Sequence, residues 1–313
     1  MIEVKNVEKS FGDSKVLKGI TTTFETGKTN LIIGQSGSGK TVLSRASMGL
    51  LTMSTAHRTG TVIFDGQDLS TAPRDTVRST WGTGMAMIFQ DPMTALNPVR
   101  RIGSQLTEGL RVRLGMSKKE ARGRAIELLK LVRIPDPEKA LRKFPNQLSG
   151  GMRQRVMIAI ALACNPKLLF ADEPTTALDV TVQAQILQLL SDLRKELNMS
   201  MVLVTHDLGV VAGHTDKIAV MYAGEVVEYG ETKELFANVR MPYTEALLNS
   251  IPRLDQKSSG RMTVIEGRLP DPTKPEPGCA FASRCPYVQD KCRTEHPELQ
   301  QSENGHQFRC HFP

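Results

Sequence analysis

A glycine-rich run near the N-terminus has the residue types and spacing of a phosphate-binding loop. Residues 34–41 follow the pattern G-x-x-x-x-G-K-T, between a short apolar run and a stretch that opens a helix at Thr41. Backbone N–H groups that glycines make accessible can converge on phosphate oxygens at the positive end of a helix dipole. Lys40 would reach the β- and γ-phosphates and the Thr41 hydroxyl would coordinate Mg²⁺. A glycine-rich turn that matches by chance is the alternative.

Two adjacent carboxylates follow another apolar run. Asp172 and Glu173 come directly after residues 168–171, which read as a buried strand. Phosphoryl transfer asks mainly for positioning and charge compensation, so Asp172 is suited to the Mg²⁺ shell and Glu173 to orienting or deprotonating the attacking water. Because Pro174 follows, Asp172 could instead cap a helix. That alternative explains one acid but not its pairing with a phosphate loop.

A serine and two glycines at the start of an apolar-faced helix form a second candidate anion site. Ser149, Gly150 and Gly151 would let a phosphate approach the backbone. A domain with one nucleotide does not need two such sites. We therefore expect Ser149 to serve a nucleotide held by a partner, so that ATP is sandwiched between two subunits. A well-capped helix without a ligand is the alternative.

In content and in order, these motifs resemble those of the ABC ATPase family. Residues 34–41 resemble its Walker A loop, residues 149–154 its signature motif and residues 170–173 its Walker B motif. The other matches are Gln90 to the Q-loop, Ala177, Leu178 and Asp179 to the D-loop, His206 to the switch histidine, and Phe11 to the aromatic that stacks on adenine.

The resemblance implies roles for individual residues. Gln90 would sense the γ-phosphate and Mg²⁺, and His206 would contact the γ-phosphate. Taken singly, Phe11 could be a core residue and His206 structural. Glu173, His206 and Gln90 form the implied catalytic set, and Thr41, Gln90 and Asp172 the implied Mg²⁺ ligands. The implied nucleotide-binding set is Phe11, Gly34, Ser36, Gly37, Ser38, Gly39, Lys40, Thr41, Gln90, Ser149, Gly150, Gly151, Asp172 and Asp179.

From about Phe64 to the end, the chain resembles more closely the ATPases of dipeptide and oligopeptide permeases. The segments that carry this likeness are residues 89–98, 148–157, 172–181 and 241–247. Two positions depart from that pattern: Met241 replaces the usual His, and Gln35 stands where a Glu is usual. The first 45 residues resemble ABC ATPases generally, which leaves the substrate open.

The fold class that these features predict is α/β, with a P-loop NTPase core. Apolar runs at residues 31–33, 168–171 and 201–204 predict a mostly parallel sheet, and residues 3–7 and 61–64 an antiparallel edge. Residues 217–222 and 225–229 predict a hairpin. We expect an ATPase domain over 1–250, with a helical subdomain over about 91–160 that has a capping box at Ser117, and a proline-rich connector and Cys-rich extension over 251–313.

Four of the five cysteines crowd the C-terminal tail. Cys279, Cys285, Cys292 and Cys310 are separated by five, six and seventeen residues, which is wider than the knuckles that zinc usually requires. Wide spacing suits a [4Fe-4S] cluster, which the tail of the peptide-permease family can hold. We rank that cluster first, as a structural staple, and zinc second. Free thiols or a disulfide are the remaining alternative.

Composition limits the possible functions. The net charge is +7, with 40 basic and 33 acidic residues interspersed, and the chain has four Tyr and one Trp. This pattern indicates a solvated surface and not a nucleic-acid groove. The apolar run at residues 156–164 is too short to span a bilayer, and the N-terminus shows no secretory signal. We expect a peripheral protein on the cytoplasmic face of the membrane.

The resulting hypothesis is an importer motor that takes up dipeptides or oligopeptides. Two ATPase subunits, this chain and a related paralogue, would close around two MgATP and drive two membrane permease subunits that receive peptide from an extracytoplasmic binding protein. Import of nickel or another small solute is the alternative. A soluble ABC ATPase acting on nucleic acid is disfavoured, since the chain has neither a long coiled-coil insert nor a second ATPase core.

Overall fold

The chain folds into two α/β units, Met1–Thr71 with Val204–Pro313, and Ala72–Leu203. The structure is a computed structural model, which describes residues 2–51, 58–176, 178–251, 265–274 and 276–313. The strands are β1 (Ile2–Phe11), β2 (Ser14–Phe24), β3 (Thr29–Ile33), β4 (Arg58–Phe64), β5 (Gln67–Asp68), β6 (Met85–Ile88), β7 (Leu168–Asp172), β8 (Ser200–Thr205), β9 (Lys217–Tyr222), β10 (Glu225–Glu231), β11 (Gln300–Gln301) and β12 (Gln307–Phe308).

Helices connect and cover these strands. They are α1 (Lys40–Ser47), α2 (Arg74–Thr80), α3 (Pro92–Ala95), α4 (Ile102–Leu114), α5 (Lys118–Leu131), α6 (Pro137–Ala140), α7 (Gly150–Leu162), α8 (Val180–Glu196), α9 (Leu208–Val211), α10 (Thr232–Ala237), α11 (Pro242–Asn249) and α12 (Asp290–Thr294). No helix among the described residues has both the length and the apolar character that a bilayer span requires.

The first unit contains an antiparallel sheet in the order β2-β1-β4-β5. The antiparallel strands predicted at residues 3–7 and 61–64 are confirmed as parts of β1 and β4, which pair with each other, and β2 was not predicted. Along β1 and β2, buried and exposed positions partly alternate, which is typical of strands with one face on a core. At its end β1 carries Phe11 into solvent.

The first unit also contains the strand that leads into the phosphate loop. β3 pairs in parallel with β9, and all five β3 residues are buried. The next connection is the predicted hairpin, in which β9 turns antiparallel into β10 through Ala223 and Gly224, both with positive φ. Such a two-residue turn matches the twist of paired strands. The hairpin prediction is confirmed.

The second unit contains the predicted helical stretch. There α4, α5 and α7 pack on one another, and α7 and β6 are also in contact. The capping box predicted for α5 is present: the Ser117 hydroxyl accepts from the Glu120 N–H, and the Glu120 carboxylate accepts from the Ser117 N–H at 2.8 Å. β6 and β7 pair in parallel, which brings Ile88 opposite Ala171. The chain leaves this unit along β8.

The C-terminal extension is part of the first unit and is held there by strand pairing. β12 pairs with β10, so Phe308 lies opposite Glu228, and β11 pairs with β12. The His306 and Glu228 side chains are both buried and 2.9 Å apart, and burial raises the pKa of Glu228. In the predicted connector, residues 252–264 and Pro275 lie outside the described residues. Its described part, residues 265–274, forms neither helix nor strand, and the Pro272 carbonyl accepts from the Lys15 N–H.

The turn from β3 into the loop depends on Gly34. Its φ is +156°, and a Cβ there would overlap the Met221 carbonyl oxygen of β9. Replacing Gly34 with Ala should therefore destabilise the chain by more than about 3 kcal/mol, since rigid backbone must move. Gly12 also has a positive φ but open space around it, so Gly12→Ala should cost only about 1 kcal/mol of backbone strain. Urea unfolding of the two variants checks this. Equal losses in the free energy of unfolding of the two variants would contradict the close approach of Gly34 to the Met221 carbonyl.

Candidate functional site

The loop of residues 34–39 leads from β3 into α1 with a backbone that favours glycine. Gly34, Gly37 and Gly39 all have positive φ. Gly39 is the N-cap of α1 and provides no side-chain cap, so the first amides of that helix are not closed off by their own cap residue. A helix start of this kind attracts anions through its amides and its dipole. Ser36 is exposed, Thr41 is half-buried, and the Ser38 hydroxyl is buried with no hydrogen-bond partner among the described residues.

Lys40 folds back over this loop. Its side chain is buried, and its ammonium donates to the Gly34 carbonyl at 2.7 Å and the Gln35 carbonyl at 3.1 Å. The Gln35 N–H in turn donates to the Tyr243 hydroxyl at 2.8 Å. The ammonium is thus held at the surface of the loop where a phosphate would sit. Tyr243 lies in the segment 241–247 that carries the family likeness, but no pattern in the sequence predicts its contact with Gln35.

Glu173 is positioned by hydrogen bonds within the second unit. The Gln90 side-chain amide donates to its Oε2 at 2.9 Å, and the Thr176 hydroxyl donates to the same oxygen at 3.0 Å. Glu173 has a φ of +46°, which is uncommon for a residue other than glycine and recurs at functional sites. Glu173 and Gln90 therefore come together as two of the predicted catalytic residues. Thr176 was not predicted, and only its spacing of three from Glu173 could have suggested it.

Asp172 ends β7 and is fully buried. The alternative in which it caps a helix is wrong, because the helix that follows, α8, begins at Val180 with Asp179 as its cap. The Asp179 carboxylate accepts from the Val182 N–H at 2.9 Å. Ala177, the first residue of the predicted D-loop, lies outside the described residues.

Ser149 is the N-cap of α7. Its hydroxyl accepts from the Met152 N–H at 3.3 Å, and the residue is otherwise exposed. Gly150 and Gly151 form the first positions of the helix, where a Cβ would meet Leu178 and Val182. The structure therefore contains the capping hydrogen bond that a well-capped helix without a ligand requires. The start of α7 is nevertheless accessible. A capping side chain and a bound anion both accept hydrogen bonds from the first backbone N–H groups of a helix, so the cap does not decide between the two interpretations.

Phe11 and His206 lie on the surface of the first unit. Phe11 is 41% exposed with the Lys9 ammonium 5.4 Å from its ring centroid, so the core-residue alternative for Phe11 is wrong. His206 follows β8 and is also exposed. It lines an open cavity of about 580 Å³ together with Gln35 and Ser36 of the loop. The exposure of both residues is compatible with contact to a ligand.

All four tail cysteines line one pocket, with Phe281 and Met241 among its apolar walls. They are not paired in disulfides, which contradicts the disulfide alternative. Among the described residues, no group of three or more His, Cys, Asp or Glu side chains is arranged to hold a metal ion, which supports neither zinc nor the [4Fe-4S] cluster that the sequence ranks first. Burial raises the pKa of the Cys279, Cys285 and Cys310 thiols.

Comparison with known proteins defines the class. Residues 17–176 match the profile of the ABC transporter family. One similar solved structure is the ATP-binding cassette MJ0796, described as a dimeric post-hydrolysis state bound to ADP and Pi. It is 32% identical to this chain with a TM-score of 0.66, and the match covers 74% of this chain and 99% of that one. A cassette described as part of the cbiONQ ABC transporter complex of Clostridium perfringens has the same TM-score. The chain is an ATP hydrolase of the ABC type.

A second match identifies the branch of the ABC transporter family to which the chain belongs. Residues 227–292 match the C-terminal region of oligopeptide/dipeptide transporters. The oligopeptide transport ATP-binding protein OppD of Bacillus subtilis is 48% identical over 92% of this chain and 82% of its own length. The dipeptide transport ATP-binding protein DppD of Escherichia coli is 46% identical over 100% and 97%. The chain belongs to the ABC transporter family, in the branch of oligopeptide and dipeptide transport ATP-binding proteins.

The buried thiols allow a test of the tail pocket. Burial raises the pKa of Cys279 to about 11. Because the thiolate is the nucleophile, iodoacetamide should label Cys279 of the chelator-treated chain at pH 8 roughly a hundredfold more slowly than an ordinary thiol. Labelling should accelerate as the pH rises toward 11. Mass spectrometry of labelled peptides measures this, with the urea-unfolded chain as control. Equal rates in the folded and unfolded chain would contradict the described burial.

Proposed function

We propose that this chain is the ATP-binding subunit of an importer for dipeptides or oligopeptides, in which MgATP binding and hydrolysis drive uptake. The observation that carries the proposal is the match of residues 227–292 to the oligopeptide/dipeptide transporter C-terminal region. Near full-length relatives named for dipeptide and oligopeptide transport support it. Because both names refer to peptides, we do not favour nickel as the cargo.

The nucleotide would be held by residues whose chemistry suits each part of it. Loop amides and the Lys40 ammonium bind the phosphates, and the Phe11 ring stacks on adenine. The Thr41 hydroxyl, the Gln90 amide oxygen and the Asp172 carboxylate are oxygen donors of the kind that Mg²⁺ prefers. When bound, Mg²⁺ neutralises charge that develops on the phosphates. The glycines and serines of residues 34–39 allow close backbone approach to the phosphates.

Glu173 would act on the attacking water. Its carboxylate accepts hydrogen bonds from Gln90 and Thr176 on the same oxygen, Oε2, and these two bonds fix the orientation of the side chain. Held in this way, the carboxylate can orient the water and accept its proton as the oxygen attacks the γ-phosphorus. His206, which lines the cavity beside the loop, would donate a hydrogen bond to the γ-phosphate.

The second half of each nucleotide site would come from a partner subunit. Ser149, Gly150, Gly151 and Asp179 lie at exposed or half-exposed helix starts, where they could reach a nucleotide on another copy or on a related paralogue. The similar cassette MJ0796 is described as dimeric. The remaining partners are two membrane permease subunits and an extracytoplasmic binding protein, which would place this chain at the cytoplasmic face of the membrane.

Within the chain, residues 1–250 would form the ATPase domain, including the helical subdomain of about 91–160, and residues 251–313 the extension. The pocket of Cys279, Cys285, Cys292 and Cys310 would hold a [4Fe-4S] cluster. Such a cluster would cross-link segments of an extension that has little core of its own. Thiol donors and apolar walls support this assignment.

Replacing Glu173 with Gln tests the catalytic assignment. The amide keeps the shape of the side chain but cannot accept a proton, so kcat for ATP hydrolysis should fall roughly 10²–10⁴-fold. The affinity for MgATP should be retained. Steady-state phosphate release and equilibrium nucleotide binding measure the two effects. Glu196→Gln, at an exposed glutamate that ends α8, is the control. Undiminished hydrolysis by E173Q would remove Glu173 from this role.

A further inference from the structure

Arg284 connects the cysteine pocket to the phosphate loop. It directly precedes Cys285, which lines the pocket, yet its guanidinium reaches Gln35 of the loop. Nη1 donates to Gln35 Oε1 at 2.8 Å and to the Tyr222 hydroxyl at 3.2 Å. Nε and Nη2 donate to the carbonyls of Glu266 and Ile265 at 2.8 and 3.0 Å. One side chain thus joins the extension, the connector and the loop.

A second connection runs through aromatic rings. Phe281 lines the cysteine pocket, is 1% exposed, and packs against Tyr222 and Tyr243 with centroid distances of 5.3 and 5.4 Å. Tyr243 accepts the hydrogen bond from the Gln35 N–H. Burial raises the pKa of the Tyr243 phenol, so it stays protonated and neutral. The two connections share Tyr222, whose hydroxyl accepts from Arg284, and both lead from the pocket to the same loop residue.

Gln35 is consequently held at three points. Its N–H donates to Tyr243, its carbonyl accepts from the Lys40 ammonium at 3.1 Å, and its side-chain oxygen accepts from Arg284. A shift of Arg284 would move the residue that helps to place the Lys40 ammonium. Misplacement of phosphate-binding groups by a fraction of a bond length weakens binding, because charged hydrogen bonds depend on distance and angle.

The charge of Arg284 also points to the nucleotide. The four acceptors named above are neutral, and none of them is a carboxylate. Together with His206 and Ser36, Arg284 lines the open cavity beside the loop. A positive charge whose hydrogen-bonded partners do not neutralise it attracts phosphates over several ångströms. A glutamate at position 35 would pair with this guanidinium, whereas Gln35 leaves its charge available.

We propose that Arg284 is a positioning residue for the phosphate-binding loop, through which an intact cysteine pocket raises the affinity of this chain for MgATP. The inference rests on the proposed function in that the loop must bind ATP. It goes beyond that function, because it gives the extension an effect on nucleotide binding in addition to its own stability.

A double-mutant cycle on the full chain tests the Arg284–Gln35 contact. Arg284→Met and Gln35→Met remove the donor and the acceptor while keeping side-chain length. Each should raise the Kd for MgATP roughly tenfold, the size expected for a lost hydrogen bond to a charged group at a partly exposed site. The double variant should be no weaker than the weaker single variant, since both remove one contact. Effects that multiply, or an unchanged Kd in R284M, would overturn the proposal.

The control variant is Arg293→Met. Arg293 is an exposed arginine that directly follows Cys292 of the same pocket, as Arg284 precedes Cys285. The R293M variant should bind MgATP with the same Kd as the wild type. Arg284→Lys keeps the charge without the planar fork and should fall between wild type and R284M. If neither wild type nor R293M binds MgATP, the proposed function itself fails, a result that differs from normal binding by R284M.

A second cycle tests the contribution of the pocket. Cys285→Ser should raise the Kd for MgATP in the wild-type background and have a much smaller effect in the R284M background, because the hydrogen bond from residue 284 to Gln35 is already lost there. Melting temperatures without nucleotide establish that each variant is folded. Loss of affinity by the same factor in both backgrounds, or no loss in the wild-type background, would contradict transmission through Arg284.

Discussion

The phosphate loop depends on how closely its first residue approaches β9. β3 is buried along its whole length and pairs in parallel with β9. The residue that follows β3 therefore lies against the Met221 carbonyl, where no side chain fits. Gly34 meets that constraint. From there the loop can turn with its amides at the start of α1 and with the Lys40 ammonium lying across it. Buried strand pairing thus supplies the rigidity that a phosphate site on a loop needs.

Within each unit, hydrogen bonds hold a candidate functional residue in place. In the second unit, Glu173 combines strained backbone with hydrogen bonds from Gln90 and Thr176. In the first unit, Gln35 is fixed from three directions. Both arrangements immobilise a group before a ligand arrives. Pre-organisation of this kind lowers the cost of binding and of reaching the transition state.

Much of the fold and of the candidate site was predictable, because the relevant signals are local in the sequence. Glycine spacing at Gly34 and Gly39, the apolar run that became β7 and the capping box at Ser117 each depend on residues a few positions apart. Arg284 was not predictable, since its contact with Gln35 spans 249 positions and no pattern around it marks it. The pairing of β12 with β10 was not predictable for a different reason, because β12 has two residues and is too short to show a hydrophobic period.

Transport in a defined membrane tests most directly whether ATP hydrolysis by this chain is coupled to peptide uptake. The chain would be purified with the proposed permease subunits and reconstituted in proteoliposomes, with MgATP on the side of this chain. The proposed binding protein and a labelled dipeptide would be supplied on the other side. We predict uptake that requires hydrolysable ATP and that unlabelled dipeptides and oligopeptides suppress. ATP hydrolysis without any peptide uptake, or uptake of nickel that peptides do not affect, would contradict the account.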